Sequence, residues 1–135
     1  MRAVRPERSG WRDERISLRH KAWGWDCPAV DVDFLLLEYD AGRAAALVEY
    51  KHEDAQIVRL AHPSIRAIAD LAERADLPAF VVRYGDDFSW WYPTPLTDRA
   101  RALLPEPGFL SEREWMGLLY RCRGRRLPAE WSQQA

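Results

Sequence analysis

The stretch that decides the fold is residues 31–52, DVDFLLLEYDAGRAAALVEYKH, in which two apolar runs flank a short turn. The runs cover residues 32–39 and 43–50, and Asp40-Ala41-Gly42 between them predicts a β-hairpin with a three-residue loop. Gly42 stands at the position where such a loop needs a left-handed residue, a conformation that glycine adopts without strain. The sequence therefore predicts two antiparallel strands at the centre of the fold.

The length of the loop determines which side chains share a face of this hairpin. A three-residue loop makes Tyr39 face Arg43, and the same register places Asp33 directly opposite Glu49. Lys51 follows two residues after Glu49 and shares its face. A two-residue loop would put Asp33 and Glu49 on opposite faces, so the convergence of these side chains depends on the register.

The 135 residues are enough for one domain with a buried core, and seven tryptophans with 47% hydrophobic residues argue against disorder. We expect a basic arm over residues 1–8, a single domain over residues 9–124 and a tail over residues 125–135. The net charge is −1, but both ends of the chain are rich in arginine. Basic ends suit a polyanion such as DNA, and solvated surface segments are an equally good interpretation. The candidate nucleic-acid-binding residues are Arg12, Arg15, Arg19 and Lys21.

The two cysteines, Cys27 and Cys122, lie far apart and outside any Cys/His cluster. This pattern predicts neither a zinc site nor a disulfide framework, and indicates a reducing compartment. No apolar run approaches the length that crosses a membrane. We therefore expect a cytoplasmic protein without a membrane partner.

The remaining pattern predicts helices around a mixed sheet. A first helix runs from a Ser9 cap to about residue 23, and a second opens at His62 or Ser64 and runs to about residue 75. Residues 79–84 form a strand parallel to the second hairpin strand, because a helix separates the two. The stripe of the second helix is Ile65, Ile68, Ala69 and Ala72.

The C-terminal part begins with an aromatic strand over residues 88–92, which Pro93 and Pro95 end and mark as a sheet edge. A short helix over residues 98–104 follows a Thr97 cap. Ser111 and Glu114 form a capping box for a helix that stops at Gly124. The aromatic strand and this helix are the apolar surfaces that we expect to remain for subunit contacts; stacking on unpaired bases is the alternative for the aromatics.

The hairpin carries the chemistry of a metal-dependent phosphodiesterase. Hard divalent cations such as Mg²⁺ or Mn²⁺ take oxygen ligands, which Asp33, Glu49 and the backbone carbonyl of Tyr50 offer. Lys51 can orient the attacking water and stabilise charge on the phosphate. Of the twenty basic residues, only Lys21 and Lys51 are lysines, and the two residue types are not interchangeable at such a site.

The pattern of Asp33 followed by Glu49-Tyr50-Lys51, then a helix and a strand, resembles the PD-(D/E)XK nuclease superfamily. The resemblance covers about residues 10–84 and implies an α/β, restriction-endonuclease-like core. It implies that Asp33 and Glu49 bind the metal and that Lys51 is the catalytic lysine. It further implies an acidic residue on the first helix, either Asp13 or Glu14. Val32 replaces the proline of the motif, and the strand before the aspartate strand is reduced or missing.

Other residues near the motif are weaker candidates. Asp31 shares a face with Asp33 and is either an auxiliary ligand or a solvated acid. His20 on the first helix either faces the site or packs within the fold. His52 points away from Lys51, so we interpret it as a surface residue.

The leading hypothesis is a DNA endonuclease or related phosphodiesterase, acting on branched or damaged DNA. The alternatives are a nuclease-like fold that binds DNA or a protein without cutting, and a structural subunit. Whether DNA or RNA is the substrate is left open. Cleavage of both strands of a duplex needs two active sites, and this predicts a homodimer.

Overall fold

The computed structural model describes residues 14–24, 28–56 and 59–132. These residues divide into two compact units, one ending at Asp31 and one beginning at Val32. The first contains helix α1 (Glu14–Ala22), which is followed by Gly24 at a φ of 77°. The predicted helix end is thereby confirmed. The expected arm, the Ser9 cap and Cys27 lie outside the described residues.

The second unit is built on a four-stranded sheet in the order β1-β2-β3-β4. β1 and β2 are antiparallel, β2 and β3 parallel, and β3 and β4 antiparallel. The predicted mixed α/β architecture is confirmed. The strands are β1 (Phe34–Glu38), β2 (Arg43–His52), β3 (Ala79–Tyr84) and β4 (Trp91–Pro95). The helices are α2 (Pro63–Ala75), α3 (Asp98–Leu103), α4 (Glu112–Cys122) and α5 (Ala129–Ser132).

The hairpin has the predicted register at its open end but not at its turn. Glu38, rather than Tyr39, faces Arg43, so the predicted three-residue loop is wrong. A β-bulge between Leu36 and Leu37 then shifts the pairing by one residue. Gly42 has the expected left-handed φ of 60°.

Helix α2 crosses over from β2 to β3 and covers one face of the sheet. His62, one of the two expected caps, is the N-cap, and its side chain accepts a hydrogen bond from the amide of Ser64. Ile65, Ile68 and Ala72 are buried in one core cluster with residues of β2 and β3, which confirms the predicted stripe. This crossover explains why β2 and β3 run parallel.

The other face of the sheet is covered by α3 and α4. Phe80 and Val82 pack there with Trp115 and Leu118, both only 2% exposed. The Ser111 capping box and the Thr97 cap are present as predicted. Our expectation that the helix over residues 111–122 leaves a free apolar surface is wrong for Trp115 and Leu118, because both lie in the core.

The aromatic strand begins later than predicted. Residues 88–92 were expected, whereas β4 begins at Trp91, and Phe88 lies in a turn at a left-handed φ of 61°. The prediction that Pro93 and Pro95 end this strand is wrong, because β4 runs through Pro93 to Pro95. The edge position is confirmed, which explains how β4 accommodates both prolines. Beyond β4, Trp91 exchanges two backbone hydrogen bonds with Leu110. The expected tail over residues 125–135 contains the short helix α5.

Within the part of the chain that the structure describes, there is no helix of the length and apolar character needed to cross a membrane.

Candidate active site at the open end of the hairpin

The candidate site lies where β2 continues past the start of β1. Phe34 pairs with Val48, so continuing this register places Asp33 opposite Glu49. Leu47, on the same side of β2 as Glu49, packs against α2, so the face that carries Glu49 and Lys51 is the α2 face. The structure thus brings Asp33, Glu49 and Lys51 together as the sequence predicts.

Glu49 is the buried member of this group. The residue is 9% exposed, and one carboxylate oxygen, Oε2, is buried without a hydrogen-bond partner among the described residues. The other oxygen, Oε1, lies 4.0 Å from Nζ of Lys51. A buried carboxylate oxygen without a partner is unfavourable in a folded protein unless another ligand binds it.

The electrostatics of the site follow from this burial. Desolvation raises the pKa of Glu49 above its ordinary value, and the negative charge of Asp33 raises it further. The backbone of Asp33, as a hydrogen-bond donor, and to a smaller extent the Lys51 ammonium lower this pKa, but they do not cancel the two. Two neighbouring carboxylates of which one is buried form an electrostatically unfavourable pair, which a cation would relieve.

The donor set fits a hard divalent cation with few protein ligands. Asp33 is exposed and directly precedes β1, and Glu49 offers its unpartnered Oε2. Among the described residues, no group of three or more His, Cys, Asp or Glu side chains could hold a metal. Mg²⁺ commonly binds through one or two carboxylates and retains several waters, so two carboxylates and a carbonyl are sufficient.

Lys51 lies at the rim of the site beside a cavity of about 440 Å³. Its side chain is 36% exposed, compared with 12% for Glu49. The cavity lies between the end of β2 and the start of α2, and Arg59 lines it together with Lys51. The Lys51 side chain is therefore more accessible from solvent than that of Glu49, whose Oε2 is buried.

Arg83 holds the chain segment that follows Lys51, a role that the sequence did not reveal. It pairs with Lys51 in the parallel ladder. Its Nη2 donates hydrogen bonds to the backbone oxygens of Glu53, at 2.8 Å, and Ala55, at 2.5 Å. The amide of Asp86 also donates to Oε1 of Glu53. One sequence signal for this role is the position of Arg83 in a predicted strand, residues 79–84, whose other residues are apolar or aromatic.

His52 points away from Lys51, as predicted. Its ring packs edge-on against Tyr84, and its Nε2 lies 2.9 Å from Oδ1 of Asp86. The hydrogen bond with Asp86 raises the pKa of His52. His52 therefore links β2 to the turn between β3 and β4, in addition to lying partly at the surface.

The remaining candidates belong to the first compact unit or lie outside the described residues. Asp13 and Arg12 lie outside the described residues, and Glu14 begins α1. The ring of His20 packs against Trp23, with ring centroids 4.5 Å apart. Arg15, Arg19, Lys21 and Asp31 are exposed. Their predicted roles as nucleic-acid-binding or auxiliary residues stay predictions.

Comparison with protein-family models, with curated proteins and with solved structures found no match for this chain.

Proposed function

We propose that this protein is a metal-dependent phosphodiesterase that cleaves DNA in the cytoplasm, with a restriction-endonuclease-like core of the PD-(D/E)XK type. The observation that carries the proposal is the arrangement of Asp33, Glu49 and Lys51 on one face of the hairpin. The buried, unpartnered Oε2 of Glu49 is the specific feature that calls for a ligand. A surface charge cluster without function would not need a desolvated carboxylate.

Each residue has a distinct role in this proposal. Asp33 and Glu49 would hold Mg²⁺ or Mn²⁺, together with the backbone carbonyl of Tyr50. The bound ion supplies Lewis-acid stabilisation of the phosphate and lowers the pKa of a bound water. Lys51, with its amine at the solvent-accessible rim, orients the attacking water and offsets the charge that develops on the phosphate. A lysine suits this position because it is a compact charge whose pKa can be tuned.

The topology of the second unit is compatible with such a core. A hairpin carries the acidic pair, a helix crosses over from the lysine-bearing strand, and a parallel strand follows. β4, α3 and α4 extend this arrangement and complete the core on the opposite face. In the described residues, no strand precedes β1, which agrees with a reduced or missing strand at that position.

The test combines cleavage with metal binding. Supercoiled, branched and single-stranded DNA are incubated with the full chain and either Mg²⁺ or Mn²⁺, and calorimetry measures Mn²⁺ binding. We expect metal-dependent cleavage, and we expect Asp33→Asn and Glu49→Gln to abolish Mn²⁺ binding. Asp70→Asn is the matched control, because Asp70 is an exposed acid on α2 that pairs with Arg74. Mn²⁺ binding that survives in both site variants would rule out the assignment.

The second candidate is a nuclease-like module that binds DNA or a protein without cutting. The observation that favours it is the small number of acidic ligands: among the described residues there are two, Asp33 and Glu49. It predicts nucleic-acid or protein binding without metal-dependent cleavage. Intact Mn²⁺ binding with no cleavage of any DNA substrate would favour this candidate over the enzyme.

A further inference from the structure

The cavity beside Lys51 has a composition that differs from the rest of the site. Besides Lys51 and Arg59, it is lined by the polar side chains of Gln56, His62 and Ser64. No acidic residue is found among the described residues that line it. The exposed guanidinium of Arg59 makes no ion pair with a described residue. The cavity is therefore rich in hydrogen-bond donors and carries net positive charge.

A second cavity, at the turn end of the hairpin, shows why this composition is informative. Arginines line that cavity too, but acidic side chains pair with them. Arg99 lies 2.7 Å from Asp76, and Arg123 lies 2.9 Å from Glu38. The charges of Arg99 and Arg123 are therefore already neutralised within the protein. Of these two cavities, the one beside Lys51 keeps its positive charge available to an outside ligand.

The donors of this cavity are side chains rather than the free amides of a helix terminus. At the start of α2, the amide of Ser64 donates to Nδ1 of His62. The amides of Ile65 and Arg66 donate to the backbone oxygen of His62. The first turn of α2 is therefore satisfied internally, and an anion would be bound mainly by Lys51 and Arg59.

We propose that this cavity binds a phosphate group of the DNA strand next to the phosphate that is cleaved. The inference rests on the proposed function and extends it, because it assigns a second phosphate-binding position to the same site. Lys51 connects the two positions, since it lies 4.0 Å from Glu49 on one side and lines the cavity on the other. A strand would run from the carboxylate pair, past Lys51, to Arg59.

The test measures binding of a fluorescein-labelled single-stranded 12-mer in EDTA, where metal-dependent cleavage does not occur. Fluorescence anisotropy is recorded for the full chain over a series of salt concentrations. Removing one phosphate contact should weaken binding and reduce the slope of log affinity against log salt by about 0.7. We expect this change for Arg59→Gln. Arg74→Gln is the matched control, because Arg74 is an exposed arginine near the other end of α2.

The outcomes separate this inference from the proposed function. Equal slopes for Arg59→Gln and the parent, or equal losses for both variants, would overturn the phosphate position. Cleavage by the parent with unchanged KM in Arg59→Gln would leave the proposed function standing and remove the inference. If the parent cleaves no DNA but binds the 12-mer through Arg59, the inference stands and the proposed function is removed. Inorganic phosphate that binds through Arg59, with no binding of the 12-mer, would overturn the assignment to a DNA strand.

Discussion

Glu49 and Lys51 share one face of β2, with Oε1 of the glutamate 4.0 Å from Nζ of the lysine, yet they differ in exposure. The carboxylate is 12% exposed and the amine-bearing side chain is 36% exposed. A simple surface ion pair would leave both groups in solvent. In the proposed function, this difference suits Glu49 as a buried metal ligand and Lys51 as the group that contacts the phosphate.

Lys51→Ala should lose most of the cleavage activity, because it removes the charge that stabilises the phosphate while both carboxylates remain. Loss of one such contact typically lowers the rate by on the order of a hundredfold or more. Mn²⁺ binding, measured by calorimetry, should be retained. Lys51→Arg should not restore cleavage, because the planar guanidinium is wider and always charged. A fully active alanine variant would show that the motif is a coincidence.

Glu49→Gln should increase the stability of the metal-free protein near neutral pH, by about 1 kcal/mol, because it removes an unpartnered buried charge. The raised pKa of Glu49 means that the folded state holds the proton more tightly than the unfolded state. The parent should therefore lose stability as the pH rises from 4.5 through this raised pKa, and the variant should not show that loss.

Chemical denaturation between pH 4 and pH 8 measures this difference between parent and variant. Mn²⁺ should reduce the difference in the parent and leave the variant unchanged, because the cation neutralises the carboxylate pair. If the two unfolding profiles run parallel over the whole range, Glu49 does not carry an unfavourable charge in the folded state.

Tyr50→Phe should lower the free energy of unfolding by about 1 kcal/mol or more, because it leaves a buried donor unpaired. The indole Nε1 of Trp115 donates to the hydroxyl of Tyr50 at 3.1 Å, which links α4 to β2. Urea unfolding monitored by tryptophan fluorescence checks this. Tyr120→Phe on the same helix is a suitable control, and an equal effect in both variants would contradict a specific role for the bond.

Gly42→Ala and Gly85→Ala should both destabilise the protein, for different reasons. At Gly42 the φ is 60° and a Cβ meets no atom within 4 Å, so the cost is conformational and about 1 kcal/mol. At Gly85 a Cβ would overlap the indole ring of Trp90. Moving that ring should cost about 1–3 kcal/mol and shift the tryptophan emission. An unchanged emission spectrum for Gly85→Ala would contradict this packing.

The chain should form a homodimer, because cleavage of both strands of a duplex needs two sites. Light scattering at micromolar concentration should give twice the mass of 15.7 kDa. Phe88 is 51% exposed at a left-handed φ, so Phe88→Asn should weaken the dimer without straining the turn. Leu71→Asn, at an equally exposed site, is the control. A monomeric parent would instead indicate nicking, single-strand cleavage or a non-catalytic role.

The sequence predicts those parts of the fold that local chemistry determines. The Ser111 capping box, the Thr97 cap and the stripe of α2 each depend on residues within one or two turns of chain. The alignment of Asp33 with Glu49 is as predicted, but the three-residue loop from which it was predicted is wrong, and the register is right because a β-bulge offsets the longer tip. The finer resemblance to a nuclease core remains a prediction.

The features that the sequence did not predict depend on distant partners. Trp115 donates to a tyrosine 65 residues away, and Arg123 pairs with Glu38 across 85 residues. The expectation of a free face on α4 was wrong for this reason. That face is buried against sheet residues that lie far earlier in the sequence. Nothing at Ala45, the extra residue of β2 opposite the step from Leu36 to Leu37, signals a bulge, since alanine has no unusual backbone preference.

The bulge in β2 opposite Leu36 and Leu37 keeps the acidic pair aligned although the hairpin tip is longer than predicted. The tip, from Tyr39 to Gly42, has four residues, one more than the predicted loop. The bulge offsets this extra residue before the strands reach Phe34 and Val48. The tip could therefore be lengthened, or carry a grafted recognition peptide, without changing the strand register that places Asp33 opposite Glu49. The tip is a site for inserted sequence, and the open end is not.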